Sequence, residues 1–441
     1  MIKTDDTSIK TVTTRGVERV FPNEEFLVKR LRSGEQLTIY LGIDPTGPTL
    51  HMGHMIPIIK LAQLQEMGHK IILLIGDFTA CIGDPDKSQA RKVLTHREVL
   101  ENAKVYQEQA SVVLNFEGEN PAELKYNNDW LGKMNFSDVL NLASQMTVQQ
   151  MLERDMFRKR FYGTIICDGC KNEFPAKPIE SKNREGSIFK NIVSELECPR
   201  CKYENKRRIK KKDKTPIYLH EFMYPLMQGY DSVVMNVDGE VGGNDQTFNM
   251  LVGRDMLKSQ TPPKEKFVIP MKLLVDNNGD KMGKTTGNML SLLDSAEEKF
   301  KKIMTWPDDM LKLGFELLTN IDLITIGVRL KSDENPRNIK FDLAQSIVAR
   351  FHSEPEAINS KQSWINDVQK DNIPDEIPEI IFLVDIIETL SIATGESKSQ
   401  TRRLLEEGAI KLNGQKIDDE SIKLSNGDLV QIGKKKWFKI I

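Results

Sequence analysis

The sequence predicts an α/β protein: a doubly wound parallel sheet within residues 1–290, an α-helical domain over 291–375 and a small α+β domain over 376–441. Three observations predict it. Two short apolar runs, Leu37–Ile43 and His69–Asp77, flank a segment whose apolar residues recur at helical spacing from Met55 to Met67, and strand, helix, strand is the unit of a parallel sheet. Sheet-like runs return at Ile217 and over Lys264–Leu274, after a cysteine-rich interruption at 162–214. From residue 295 the pattern is helical, with breaks at Pro307 and near Pro336, and beyond Ser399 it becomes helix, strand, Asn-Gly turn and strand.

The 441 residues allow about three domains. Lys+Arg 62 against Asp+Glu 64 gives a formal net charge of −2, so the chain as a whole is no basic nucleic-acid binder and any RNA contact is local. Met1–Arg15 is polar and charged, and no apolar run approaches the length of a membrane span; a cytoplasmic protein is expected. Of five cysteines, four form two close pairs while Cys81 stands alone. In a reducing compartment that favours metal over disulfide.

Taken in order, residues 1–36 read as a polar leader with a helix around Asn23–Leu31. The loop Asp44-Pro-Thr46-Gly-Pro-Thr-Leu-His51-Met-Gly53-His54 then joins the first strand to the first helix. Such a junction aims backbone N–H groups and the positive end of a helix at an anion. His51 and His54 could equally satisfy one another or cap the helix; the order strand, Gly/Pro loop, helix and the missing side chain at Gly53 favour a ligand. Gly68 closes that helix. The loop after the second strand carries Asp84, placed over the same crevice because ligands bind beyond the C-terminal ends of parallel strands.

Thr95-His-Arg-Glu98 has capping-box spacing and predicts a helix to about Asn115. Leu124–Trp130 is strand-like, and Phe136–Arg160 carries helical periodicity. Cys167-Asp-Gly-Cys170 and Cys198-Pro-Arg-Cys201, with 27 residues between them, are the strongest local metal signal. Four thiolates leave no open coordination position, so one structural ion in a zinc-ribbon-like module over 162–214 is expected. Its tail, Lys202–Lys214, has eight Lys/Arg in thirteen residues, which suits a solvated face or phosphate contact alike.

Tyr224, Gln228 and Asp231 fall at i, i+4 and i+7, on one helix face. A polar stripe in an apolar helix fits either a polar small molecule or a satisfied internal network. Val241-Gly-Gly243-Asn-Asp245-Gln246 suits close backbone approach to a ribose or base edge. After the last strand, Lys281-Met-Gly-Lys284-Thr285 sets two lysines in a flexible loop, of interest where such a loop closes over an anionic transition state. Arg402 and Arg403 on the Ser399–Glu407 helix, with Lys434-Lys-Lys on the final strand, fit RNA binding by phosphate contact.

His51-Met-Gly-His54 after one strand and Lys281-Met-Gly-Lys284-Thr285 after the last resemble the paired ATP signatures of class I aminoacyl-tRNA synthetases. Tyr40, Asp84, Tyr224, Gln228, Asp231 and Gly242-Gly-Asn-Asp245-Gln246 are further similar to bacterial tyrosyl-tRNA synthetases, over nearly the whole chain apart from the cysteine insertion. The resemblance implies a Rossmann-like catalytic domain followed by a helical anticodon-side domain and a C-terminal RNA-binding domain. It implies a tyrosine–tRNA ligase that forms tyrosyl-adenylate from L-tyrosine and ATP, with magnesium, and passes the tyrosyl group to the 3′ end of tRNA(Tyr), as a homodimer with no membrane attachment. By the same resemblance Tyr40 and Asp231 hold the phenol; Asp84, Tyr224 and Gln228 the ammonium; Gln246 the carboxylate. Thr46, His51 and His54 meet the triphosphate, Asp44 belongs to the ATP site, Gly53 lets adenine stack, Gly243 and Asp245 hold the ribose, and Lys281, Lys284 and Thr285 close over pyrophosphate. The tryptophan-specific sister enzyme and a non-catalytic RNA-binding paralogue are the competing readings.

Overall fold

The computed structural model describes residues 2–83, 94–170, 173–175, 179–182, 188–191, 197–198, 200–203, 209–211, 216–275, 290–370, 377–383, 385–433 and 436–441. The chain forms two compact units, one of residues 1–294 with 305–343 and one of 295–304 with 344–441.

The first unit is built on a five-stranded sheet. Its strands are β1 (Thr38–Ile43), β2 (Lys70–Ile75), β3 (Glu123–Tyr126), β4 (Gly239–Gly243) and β5 (Phe267–Met271). They lie in the order β5-β4-β1-β2-β3, every pairing parallel. This is the doubly wound arrangement, and its order reverses between β1 and β4. Ile71–Ile75 on β2 and Phe267–Met271 on β5 are buried throughout, as strands covered on both faces must be.

Helix α1 (Met52–Glu66) follows β1, begins at His51 and is buried on nearly every face. Gly68 takes φ +94 and turns the chain into β2. The capping box at Thr95 starts α2 (His96–Ala103), but this helix is followed by a second short one, Tyr106–Ala110, instead of running on to Asn115. Asn102, Tyr106 and Gln109 thereby share a face that braces the loop after β1: they donate to the carbonyls of Pro45, Gly47 and Pro48, and Gln109 Oε1 accepts from Leu50 N at 2.6 Å.

Other expectations are adjusted: Ile217 leads into the helix Leu219–Val234 and not a strand, and the strand expected over Leu124–Trp130 ends at Tyr126, before the helix Asn128–Leu131. The leader holds a helix, Asp6–Thr14, capped by Asp5, as well as the expected one, Glu24–Arg32. The Phe136–Arg160 segment is three helices, Phe136–Ala143, Val148–Met151 and Asp155–Tyr162, with Asn135 capping the first and Thr147 capping a new start within the segment. Pro336 opens the helix Pro336–Phe351 instead of ending one, a position that proline suits because the N–H it lacks has no helical partner there.

In the second unit, helix Lys398–Glu406 ends at Gly408, φ +64, and strands Ile410–Leu412 and Gln415–Lys416 are joined by Asn413 and Gly414, both at positive φ. That is the primed hairpin turn the Asn-Gly pair predicts. Leu429–Ile432, Lys436–Ile440 and the short strand Glu379–Ile380, parallel to the latter, complete the sheet over a core of Ile386, Leu390, Leu405, Ile410, Val430 and Ile440. Lys434 and Lys435 lie outside the described residues. Among the described residues, no helix is long and apolar enough to cross a membrane.

Candidate active site

The C-terminal ends of β1 and β4 open the crevice where strand order reverses, and two helices furnish its polar side chains: α3 (Leu219–Val234) and α4 (Thr247–Lys258). These two pack closely against each other. Gly229 on α3 makes this possible, since a Cβ there would lie 2.8 Å from Val252 and 2.9 Å from Met256 Sδ.

Asp231 is buried, and its carboxylate accepts from Trp130 Nε1 at 2.8 Å and Asn127 Nδ2 at 3.3 Å. Burial pushes its carboxyl well above the usual carboxylate range; the two donors oppose that shift, and the charges of Glu240 and Asp44 add to it. Asn127 Nδ2 also reaches Thr79 Oγ1, which donates to Asp44 Oδ1 at 2.7 Å, and Tyr224 Oη donates to Asp44 Oδ2 at 2.8 Å. Asp44 approaches so closely because residue 76 is glycine: a Cβ there would fall 2.0 Å from Asp44 Oδ1. Tyr224, Asp231 and Asp44 are thus joined in one network with Thr79, Asn127 and Trp130, of which Asn127 and Trp130 carried no role in the sequence.

Tyr40, fully buried on β1, places Oη 2.9 Å from Ser232 Oγ. Burial, then the charges of Glu240 and Asp231, push its phenol well above 10. Gln228 Nε2 donates to Glu240, while Asn249 Nδ2 donates to both Gln228 Oε1 at 2.9 Å and Gln246 Oε1 at 3.0 Å. The stripe on α3 is therefore an internally bonded network that also faces the crevice.

At the helix end, the rings of His51 and His54 stack with centroids 3.8 Å apart, and His51 N donates to His54 Nδ1 at 3.4 Å. A Cβ on Gly53 would sit 2.9 Å from His51 Cε1, so this glycine leaves room for the imidazole stack. Thr46 is exposed on the loop. Gly243 and Asp245 lie at the end of β4, where a Cβ on Gly243 would meet Asp245 Oδ1 at 2.5 Å. Asp84 and Lys281, Lys284 and Thr285 lie outside the described residues. The flank of the lysine loop is placed, however: Leu290 O accepts from Met52 N, and Leu292 N donates to Leu50 O. The chain leaving that loop is tied to the start of α1, beside the histidines.

The family described as tRNA synthetases class I (W and Y) matches residues 32–167 and 191–369, and an S4 domain matches 391–430. Tyrosine–tRNA ligase 2 of Clostridium acetobutylicum is 37% identical over 455 residues, covering 100% of both chains. The tyrosine–tRNA ligase of Haemophilus ducreyi is 38% identical over 436 residues, 97% of this chain and 96% of its own. The chain belongs to the class I tyrosyl-tRNA synthetases. Among solved structures, the fold is similar to a C-terminally truncated mitochondrial tyrosyl-tRNA synthetase of Aspergillus nidulans, with TM-score 0.59 at 19% identity, covering 82% of this chain and 94% of that one. It is also similar to the tyrosyl-tRNA synthetase of Archaeoglobus fulgidus complexed with L-tyrosine, with TM-score 0.56 at 20% identity, covering 80% and 99%.

The family match is interrupted between residues 167 and 191, inside the cysteine module of this tyrosyl-tRNA synthetase. Strand Thr164–Ile166 pairs antiparallel with Glu173–Pro175 and Ile209–Lys211. The four thiols converge: Cys167 Sγ is 3.5 Å from Cys201 Sγ, Cys170 Sγ is 3.6 Å from Cys198 Sγ, and all four lie within 4.8 Å of one another. Disulfides are far shorter, whereas sulfurs about 2.3 Å from a tetrahedral ion sit about 3.8 Å apart. Lys202 at φ +61 makes the second knuckle turn, with its N–H on Cys198 O at 2.9 Å. The donor set fits a structural metal. Most of the basic tail Lys202–Lys214 lies outside the described residues.

Proposed function

We propose that this chain is a tyrosine–tRNA ligase, converting L-tyrosine and ATP, with magnesium, to tyrosyl-adenylate and pyrophosphate and then transferring the tyrosyl group to the 3′ end of tRNA(Tyr). The observation that carries the reading is the meeting of Tyr40, Tyr224, Gln228 and Asp231 at the β1/β4 switch point. In the first step the tyrosine carboxylate attacks the α-phosphate of ATP, and pyrophosphate leaves. The protein supplies position and charge and needs no covalent nucleophile.

In this reading Tyr40 and Asp231 bracket the phenol; Asp84, Tyr224 and Gln228 receive the ammonium; and Gln246 orients the carboxylate. Thr46, His51 and His54 face the triphosphate, Asp44 and Gly53 border the ATP, Gly243 and Asp245 hold the ribose, and Lys281, Lys284 and Thr285 meet the pyrophosphate. Phenylalanine would leave buried polar partners unpaired, which is costly. An amino-acid panel in ATP–pyrophosphate exchange tests this: exchange with tyrosine alone is expected, and exchange with tryptophan instead would overturn it.

The cysteine module holds one zinc ion through Cys167, Cys170, Cys198 and Cys201, supporting the module and not the chemistry. About one zinc per chain by elemental analysis is expected; zinc-free protein that keeps a folded insertion would count against it. The domains divide at about residues 290 and 375, with the C-terminal one, bearing exposed Arg402 and Arg403, reading tRNA by its phosphates. The protein acts in the cytoplasm as a homodimer, a reading motivated by Phe136, Leu140 and Val148, which are 55–78% exposed. A monomer mass in sedimentation equilibrium would refute the dimer.

A further inference from the structure

The groups on which Tyr40 and Gln228 rest are charged, buried and outside every role given above. Lys266, just before β5, is fully buried and forms an ion pair with Glu240 on β4, itself buried. Lys266 Nζ also donates to Ser232 Oγ at 2.8 Å, and that oxygen is the one 2.9 Å from Tyr40 Oη. The other side of the pair reaches Gln228, whose Nε2 donates to Glu240 Oε1 at 3.2 Å. Gly253 makes room: a Cβ there would lie 2.6 Å from Ser232 Oγ and 2.8 Å from Lys266 Nζ. A buried ion pair is often no more stable than apolar residues of equal volume, so stability does not account for it.

We propose that Lys266 and Glu240 are positioning residues of the tyrosine site, which set the direction of the hydrogen bonds at Tyr40 and Gln228 and thereby the preference for tyrosine over phenylalanine. The inference rests on the roles proposed above for Tyr40 and Gln228. An ammonium has donors only. Ser232 Oγ accepts from it with one of its two lone pairs, which leaves the serine's single proton available to Tyr40 Oη; with the serine donating, Tyr40 keeps its own proton to donate to a phenolic oxygen. An ionised carboxylate only accepts. Glu240 therefore holds Gln228 with Nε2 turned toward the pair and Oε1 toward Asn249, where one of its lone pairs is left for an ammonium. The polarity of the pocket's two ends is written by one ion pair behind it.

The test uses two variants of the full chain. Lys266→Met/Glu240→Gln keeps the site neutral, and Ser232→Ala cuts only the link between Lys266 and Tyr40. Pyrophosphate exchange is measured with tyrosine, phenylalanine and varied ATP, beside thermal melting, with Tyr40→Phe as reference. Both variants are expected to raise the tyrosine KM about tenfold and lower the tyrosine-to-phenylalanine preference by a similar factor, with the ATP KM changed less than about twofold. Unchanged tyrosine KM and preference in the folded variants would overturn the proposal and leave the pair a matter of stability. Should the double variant fail to fold, Ser232→Ala decides alone. An effect of Tyr40→Phe without one of Ser232→Ala refutes the positioning role only; no effect of Tyr40→Phe refutes both this role and the assignment of Tyr40.

Discussion

Two buried polar clusters lie side by side behind the β1/β4 crevice, and they resolve the cost of burial in opposite ways. Asp231 is held by an indole N–H and an amide, both neutral. Glu240 is held by a lysine ammonium. The first carboxylate gains from any further donor brought to it, such as a phenol, while the second is already compensated and has nothing to gain from a ligand. In the proposed reading, receptor and scaffold are told apart by what neutralises the charge, not by depth, since both are buried.

The comparison is broken most severely at the scaffold. Lys266→Met alone leaves Glu240 buried without its cation, and the expected loss of stability is about 3–5 kcal/mol, seen as a large drop in Tm. A melting curve that matches the wild type would mean that Glu240 is compensated by some other group and that the two clusters do not differ as described.

At the receptor the expected sign is reversed. The Asp231 carboxyl binds its proton more tightly in the folded chain than in the unfolded one. Its contribution to stability is full below the ordinary carboxylate value and is lost as pH rises toward the raised folded value. Asp231→Asn removes that loss, so the variant's Tm should exceed the wild type's by a margin that grows with pH, while its kcat/KM for tyrosine falls about 10- to 100-fold. Thermal melting at several pH values and pyrophosphate exchange check the two halves. A variant that loses activity and Tm together at every pH would place Asp231 with the scaffold.

The sequence exposed the receptor far better than the scaffold, for physical reasons. Asp231 sits one helical stripe from Tyr224 and Gln228, and periodicity within one element reveals that. Lys266 heads an apolar strand, Lys266-Phe-Val-Ile-Pro-Met, where a lysine ordinarily marks the solvent-exposed end. Only the β5-β4-β1 order brings it under Ser232 and against Glu240. Asn127 and Trp130 were hidden likewise, because β3 contributes to the crevice through a pairing with β2 and not through a motif. The first strands, the Asn-Gly hairpin and the cysteine pairs were legible because their signals are local: apolar runs, a turn that demands positive φ, and a ligand spacing. The Asp6–Thr14 helix was not, since only Ile9, Val12 and Thr13 are buried and the rest of its sequence is polar.

The smallest effect separates holding a receptor from being one. Trp130→Phe preserves the ring but deletes the 2.8 Å bond from Nε1 to Asp231 Oδ1, a loss of about 1 kcal/mol or a several-fold fall in kcat/KM for tyrosine. That bond favours the ionised carboxylate, so removing it raises the Asp231 pKa further and leaves less carboxylate at a given pH to accept the phenolic proton. The acid limb of kcat/KM against pH should move to higher pH in Trp130→Phe. In Ser232→Ala it should stay where it is, because that change touches only the donor side of the pocket. If both variants moved the limb equally, the two clusters would titrate as one unit, and the division between receptor and scaffold would fail.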